Sequence, residues 1–212
     1  MNLTYYFFLL LIIFLLIMLI KKNKRYSPIK IKIYMYVVIS LLLLRYIALF
    51  FLCIIRNGIY IYSLKGLLYL NYLAIPLIVI ALSYVYLRWS KLSFKINYII
   101  ASVLSLLYII EMHFTDGKVH FNVDYGYIIT LKNETLVFLF YFITLGMLLI
   151  FCIYFSDKPN CNRFGMFSLI IALAIVIIEN VLFLGGIKIF PYPIIGDAFF
   201  LILMNLGLNT FR

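Results

Sequence analysis

Charged residues are scarce in this sequence. Asp, Glu, Lys and Arg make up 12% of its 212 residues, whereas a soluble domain carries about 25%. Hydrophobic residues make up 67%, and the mean hydropathy is +1.16. Because such a chain cannot cover a folded core with polar surface, we exclude a soluble globular domain and expect lipid to surround most of the protein.

Cysteine is also scarce, and its spacing is not that of a metal or redox site. Cys53, Cys152 and Cys161 form no CxxC pair, which argues against a structural zinc site and a disulfide framework. One stretch combines acids and histidines that could face the exterior, but their spacing matches no established ligand pattern. Its members are Glu111, His113, Asp116, His120 and Asp124. We therefore expect no metal and no cofactor.

Catalytic signatures are absent. The sequence contains no GxSxG, HExxH, Walker A or GxGxxG motif, so we expect that the protein is not an enzyme. The last apolar stretch also lacks the lysine to which retinal would attach as a Schiff base. The nearby Lys188 lies in the preceding loop. The net charge of +11 does not indicate nucleic-acid binding, since Lys and Arg lie beside the ends of apolar runs.

Long apolar runs are what the sequence has in abundance. Each is long enough to cross a bilayer, which takes about 20 residues, and each must be helical because backbone groups in hydrocarbon need internal partners. We predict an all-α membrane protein, a single domain over residues 1–212 with seven transmembrane helices. The predicted spans are about 3–20, 33–55, 66–87, 96–112, 135–155, 164–184 and 193–210.

The few prolines and glycines mark predicted irregularities in these helices. Pro76 lies within the third span and should kink it, because proline removes one backbone hydrogen bond. Gly185 and Gly186 should end the sixth helix, and Pro193 should occupy the first turn of the seventh.

The distribution of Lys and Arg predicts the orientation in the plasma membrane. With the N-terminus outside and the C-terminus in the cytoplasm, twelve basic residues are inside and five outside, and the eighteenth, Arg45, is buried. The first run has no basic residue before it and no small-x-small site after it, so we expect no cleaved signal peptide. The inner residues are Lys21, Lys22, Lys24, Arg25, Lys30, Lys32, Arg88, Lys91, Lys95, Lys158, Arg163 and Arg212. The outer residues are Arg56, Lys65, Lys118, Lys132 and Lys188.

One outer segment has the pattern of a strand rather than a helix. From Val119 to Leu131 apolar and polar residues nearly alternate, which is typical of a half-buried strand, and Asp116-Gly117 before it is a turn signal. We predict that residues 114–131 form a short extracellular β-hairpin or extended lid between helices 4 and 5. Its apolar face should rest on the outer mouth of the bundle.

Ionisable residues inside the apolar runs are the candidate site. Arg45 lies in the second span, Glu179 with Asn180 in the sixth, and Asp197 in the seventh. A buried guanidinium costs at least about 3 kcal/mol unless something pairs with it, so we expect these residues to converge. They could form an outward-facing polar pocket that binds a small ligand or holds a switchable ion pair. They could equally form a static pair that only fixes helix register.

The seven spans, the longer outer segment and the final stretch Ile189-Phe-Pro-Tyr-Pro-Ile-Ile-Gly-Asp197 resemble the seven-helix N-terminal input region of bacterial histidine kinases and related signalling proteins. The resemblance implies a region that senses a ligand and passes a helix movement to an output module. No kinase, cyclase or coiled-coil segment precedes Arg212. We therefore expect either a relative without an output domain or a truncated copy.

These patterns predict a membrane-embedded sensor or receptor-like module that binds a small ligand or lipid and signals through a cytoplasmic or membrane partner. The alternatives are a small transporter or channel subunit, and an accessory protein for immunity or assembly. We expect membrane lipid as a partner and no nucleic acid. The ligand, the partner and the oligomeric state do not follow from the sequence.

Overall fold

The computed structural model describes residues 3–55, 58–88, 94–159 and 161–211. Three of the predicted loop charges, Arg56, Lys91 and Arg212, lie outside these ranges. Eight α-helices are described: α1 Leu3–Tyr26, α2 Ile29–Ile54, α3 Lys65–Leu68, α4 Asn71–Leu87, α5 Lys95–Phe114, α6 Glu134–Ser156, α7 Arg163–Leu184 and α8 Ile195–Asn209. A 3-10 helix, Gly58–Leu64, leads into α3.

Six segments of the described chain are helical, long and apolar enough to cross a membrane. They are α1, α2, α5, α6, α7 and the composite segment Ile61–Leu87, which contains α3 and α4. The last helix, α8, is apolar but has only 15 residues, roughly 22 Å at 1.5 Å per residue. The helical, multi-pass membrane class is therefore as expected, whereas length and composition identify six spans rather than seven.

The central helix of the bundle is α4. Of its 17 residues 15 are buried, against 3 of the 20 residues of α5, which therefore lies at the periphery. A helix that is apolar all round, as α4 is, belongs inside a protein, and α4 contacts α2, α5, α6, α7 and α8. One continuous cluster of buried side chains includes residues from all eight helices.

The chain between α3 and α4 leaves the regular helical path. Leu70 N donates to Leu67 O, and Tyr72 N donates to Tyr69 O at 3.0 Å, so the bonds here have the tighter i to i−3 pattern. Helix α4 then continues through Pro76. The interruption of the third span thus lies at Tyr69–Leu70, six residues before the proline at which we predicted a distortion.

The chain between α7 and α8 is exposed over residues 185–189 and enters the interior only at its last three residues. Helix α7 ends at Leu184, and Gly186 adopts φ +87°, which confirms the predicted end of this helix at the glycine pair. Tyr192, Pro193 and Ile194 are buried. Because α8 begins at Ile195, Pro193 precedes the helix, and its predicted place in the first turn is wrong by two residues.

The predicted hairpin between the fourth and fifth long helices is present. Strands β1 Gly117–Asn122 and β2 Gly126–Leu131 pair antiparallel. Ile129 of β2 is fully buried, and Gly126, at φ +80°, lies directly against the backbone at Leu52 and Cys53 near the end of α2.

Strand β2 packs against the bundle, whereas β1 is largely exposed and contacts the 3-10 helix. Phe121 in β1 is 66% exposed, and Val123 in the turn is 77% exposed. The prediction that the apolar face of the whole segment is buried is therefore wrong for β1, because a two-stranded ribbon meets the bundle along β2.

Candidate functional site

The Arg45 guanidinium lies at the centre of the candidate site. Arg45 is on α2 and only 1% exposed. Its Nε donates to Leu68 O at 2.9 Å, its Nη2 donates to Pro193 O at 2.9 Å, and its Nη1 pairs with Asp197 Oδ2. The costly charge predicted from the sequence is thus satisfied by one carboxylate and two backbone carbonyls.

Both carbonyls come from irregular backbone. Leu68 is the last residue of α3. In a regular helix its carbonyl would accept from the Tyr72 N–H, but at the interruption this N–H donates to Tyr69 O instead. Pro193 belongs to the buried segment before α8. Irregular backbone at membrane depth is tolerated only where protein or water provides its hydrogen-bond partners. Arg45 provides a donor to each of these two segments.

Asp197 accepts two hydrogen bonds from α2. It is 3% exposed, and its Oδ2 accepts from the Tyr46 hydroxyl at 2.7 Å as well as from Arg45. Asp197 lies in the first turn of α8, where the positive end of the helix dipole favours a negative charge. The carboxylate is therefore stabilised by a guanidinium, a hydroxyl and a helix N-terminus.

Glu179 binds the start of α8 rather than the guanidinium. Its Oε1 accepts from Ile195 N at 2.9 Å, and its Oε2 accepts from Gly196 N at 2.6 Å. A Cβ at position 196 would lie 2.8 Å from that Oε2, so the glycine allows this close approach. Glu179, on α7, thus accepts hydrogen bonds from two N–H groups that a helix N-terminus leaves unpaired.

Asn180 does not join these residues through a hydrogen bond. It is 1% exposed, but its Nδ2 donates to Val176 O of its own helix at 2.7 Å. Of the four residues predicted for the site, Arg45 and Asp197 meet directly, and Glu179 reaches the same helix start. We name Arg45, Tyr46, Glu179 and Asp197 the Arg45 cluster.

Two tyrosines connect the Arg45 cluster to the hairpin. The Tyr69 hydroxyl donates to Ile129 O at 2.8 Å, and Ile129 N donates to the Tyr192 hydroxyl at 2.8 Å. Each tyrosine directly neighbours a residue whose carbonyl accepts from Arg45, Leu68 in one case and Pro193 in the other. Strand β2 is therefore hydrogen-bonded to two residues, Tyr69 and Tyr192, that are next in sequence to the carbonyls that bind the guanidinium.

Sequence reasoning missed this role of the tyrosines. Hydroxyl partners on a distant strand leave no periodic signal along the chain, and tyrosines are common here, with 19 in all. The Tyr192 hydroxyl also donates to Ile129 O at 3.3 Å, so it bonds both backbone groups of that residue.

The Arg45 cluster is closed in this structure. Arg45 and Asp197 are almost completely inaccessible, so a ligand could reach either charge only by displacing one of the contacts described above. The arrangement can form or break the ion pair between Arg45 and Asp197. Through Arg45 this pair joins α2, the α3–α4 interruption and the start of α8.

The sequence predicted no metal site at the stretch of acids and histidines between Glu111 and Asp124. Within the ranges that the structure describes, no group of three or more His, Cys, Asp or Glu side chains comes close enough to hold an ion. Glu111, His113, Asp116, His120 and Asp124 all lie within those ranges.

No known family model matches this chain, and a search of curated proteins finds no significant match.

Proposed function

We propose that the protein is a membrane-embedded sensor or receptor-like module. A small ligand or lipid acts on the Arg45 cluster from the side of the hairpin, and the resulting shift of α2 and α8 is passed to a partner protein. The observation that supports this most is that a single buried guanidinium joins three chain segments. A change at one side chain can therefore alter the packing of all three.

The proposal includes seven membrane crossings with the N-terminus outside. Lys22, near the basic end of α1, donates from Nζ to Asn205 O of α8 at 2.8 Å. Helix α8 thus extends from the level of the Arg45 cluster to the basic end of the bundle. Together with the buried segment before it, α8 is the seventh crossing, which leaves the hairpin outside and the C-terminus inside.

Sensing requires two states that the ligand binds with different affinity. In the closed state Asp197 occupies the guanidinium, and the two tyrosines hold β2 over it. In the open state an anionic group of the ligand replaces Asp197, the start of α8 moves, and β2 loosens. The resemblance to histidine kinase input regions fits this scheme, with a separate partner as the output.

The native thiols provide a test. Cys53 is 7% exposed and lies beneath Gly126 of the hairpin, whereas Cys152 is fully buried in α6. In a Cys161→Ser background, labelling by a maleimide reports opening of the hairpin at Cys53 and global unfolding at Cys152. We compare the wild type with Asp197→Asn in phosphatidylcholine vesicles, with and without phosphatidylglycerol as an anionic probe.

Under the proposal, the maleimide modifies Cys53 about tenfold faster in Asp197→Asn than in the wild type, which corresponds to about 1.4 kcal/mol in the opening equilibrium. Cys152 remains protected. Phosphatidylglycerol accelerates Cys53 labelling in the wild type and has no further effect on the variant. If Cys53 labels only when Cys152 does, the ion pair is a static register element and the switching mechanism is wrong.

A transporter is the second candidate, and one observation favours it. The interruption before α4 and the short α8 both end at the Arg45 cluster, and discontinuous helices at a buried charge are typical of transporter binding sites. Ion flux into proteoliposomes, followed with a voltage-sensitive dye, distinguishes the two. Flux that Arg45→Leu abolishes would favour transport, whereas no flux leaves sensing and an accessory role.

A further inference from the structure

We propose that a lateral cavity between α5 and α6 binds one hydrocarbon chain of an amphiphile whose head group donates hydrogen bonds. The cavity has a volume of about 370 Å³, within the range of roughly 300–1,000 Å³ that is usual for small-molecule sites. Helix α4 contributes Tyr72 to its wall, and α5 and α6 form its sides.

The cavity is on the loosely packed side of the bundle. Over its 20 residues, α5 has only Asn97, Tyr108 and Met112 buried. The lining residues Leu107 and Phe140 are 56% and 61% exposed, so the cavity opens sideways toward the hydrocarbon. A molecule already dissolved in the membrane can therefore enter it without passing through water.

Two polar atoms distinguish this cavity from an ordinary gap for lipid tails. The Oε1 atom of Glu111 and the hydroxyl of Tyr141 are buried, both residues line the cavity, and neither atom has a hydrogen-bond partner among the described residues. Tyr141 is only 3% exposed. Buried polar groups are nearly always paired, and a hydrocarbon chain cannot satisfy these two.

The arrangement indicates how a ligand would lie. Glu111 is one turn from the hairpin end of α5, and Tyr141 is about two turns into α6. Leu104 and Thr144 line the cavity deeper in the bundle. A head group at Glu111 thus remains near the membrane surface while one hydrocarbon chain extends inward past Tyr141.

A carboxylic oxygen accepts hydrogen bonds, which specifies the head group as a donor such as a primary ammonium or a hydroxyl. Two sources share this chemistry. One is the head group of a membrane lipid, such as phosphatidylethanolamine. The other is a free long-chain amine or alcohol.

The test uses the purified full chain in phosphatidylcholine nanodiscs with a dodecylamine probe that carries a photoreactive diazirine on its chain. After illumination, peptide mass spectrometry locates the modified residues. We expect modification of α5 and α6 near Leu107 and Phe140. Unlabelled dodecylamine and dodecanol should compete for it, whereas methyl laurate, which has no donor, should not.

Variants connect the signal to the cavity. Leu107→Trp fills its mouth and should reduce the modification about tenfold, which is 1.4 kcal/mol. Leu106→Trp is the matched control, because Leu106 is 61% exposed and is not a lining residue; it should change nothing. Glu111→Leu removes the acceptor and should weaken capture by a similar factor. Glu111→Gln keeps an amide oxygen and should still bind dodecanol.

Nanodiscs of phosphatidylethanolamine identify the source. If this lipid suppresses modification, a lipid head group is the natural occupant, and if it does not, the site takes free amphiphiles. Equal competition by methyl laurate, or modification unchanged in both Leu107→Trp and Glu111→Leu, would show that bulk lipid tails fill the cavity without selection. Either of those results overturns the inference.

Discussion

At the scale of single residues, one side chain organises the interior. Arg45 carries a charge that costs several kcal/mol to bury unpaired, and the protein satisfies it with Asp197 and with the carbonyls of Leu68 and Pro193. The cost of an unpaired charge was enough to predict from sequence that acids from other spans would converge on it. It did not predict the two carbonyls, because they are available only where helices are interrupted.

Glu179 provides a prediction at this scale. Glu179→Ala removes the acceptors of two N–H groups at the start of α8. We expect a loss of about 1–3 kcal/mol in the free energy of unfolding, measured by SDS titration in mixed micelles. Glu179→Gln, which retains one acceptor oxygen, should lose less. Equal stability of all three proteins would mean that Glu179 does not stabilise α8.

The role of Glu179 could not be predicted, although its convergence on the site could. Which carboxylate meets the guanidinium and which one meets backbone N–H groups depends on where α8 begins. That start is at Ile195, after a buried non-helical segment. Pro193 pointed to a start two residues earlier, and the sequence assigned no separate partner to each acid.

At the scale of elements, the hairpin was predictable and the interruption before α4 was not. Apolar and polar residues alternate between Val119 and Leu131, and a turn signal precedes them. This pattern is local in sequence, so it predicts the strands without knowledge of tertiary contacts. The interruption at Tyr69–Leu70 has no proline or glycine of its own. Tertiary hydrogen bonds maintain it: Arg45 donates to the Leu68 carbonyl, and the Tyr69 hydroxyl donates to the Ile129 carbonyl.

The close contact of the hairpin with α2 gives a second prediction. At Gly126, φ is +80°, and a Cβ would lie 2.7 Å from Leu52 O and 3.0 Å from the Cys53 Cα. We expect Gly126→Ala to lose about 1–3 kcal/mol and to raise maleimide labelling of Cys53.

The control for this substitution is Gly146→Ala in α6. A Cβ there meets nothing within 4 Å, and alanine favours a helix by up to about 1 kcal/mol, so stability should be unchanged or raised. If the two variants melted alike and labelled alike at Cys53, β2 would not be packed against α2 as described.

At the scale of the whole molecule, the orientation is still a prediction, made from the distribution of Lys and Arg. The contact of Lys22 with Asn205 brings the last turns of α8 beside the last turns of α1. The charge pattern could be read from sequence because it depends only on which residues lie between spans. The seventh span could not be established by length alone, because α8 is short.

Cysteine labelling in cells checks the seventh crossing. We expect an impermeant maleimide to label Lys118→Cys in intact cells, with Cys161 replaced by serine. Native Cys161 and Thr210→Cys, the latter again in the Cys161→Ser background, should label only after permeabilisation. Labelling of Thr210→Cys in intact cells would mean that α8 does not cross, and labelling of both Lys118→Cys and Cys161 from the same side would remove α6 as a span.

The most direct measurement of the central claim is a double-mutant cycle on Arg45→Met and Asp197→Leu, with unfolding free energies from SDS titration. Each single variant leaves one buried charge unpaired and should lose about 3–5 kcal/mol. The double variant, with neither charge, should be more stable than either single variant. If the two losses instead add to within about 0.5 kcal/mol, the two side chains do not meet, and the account of this molecule as a bundle organised around one buried ion pair is wrong.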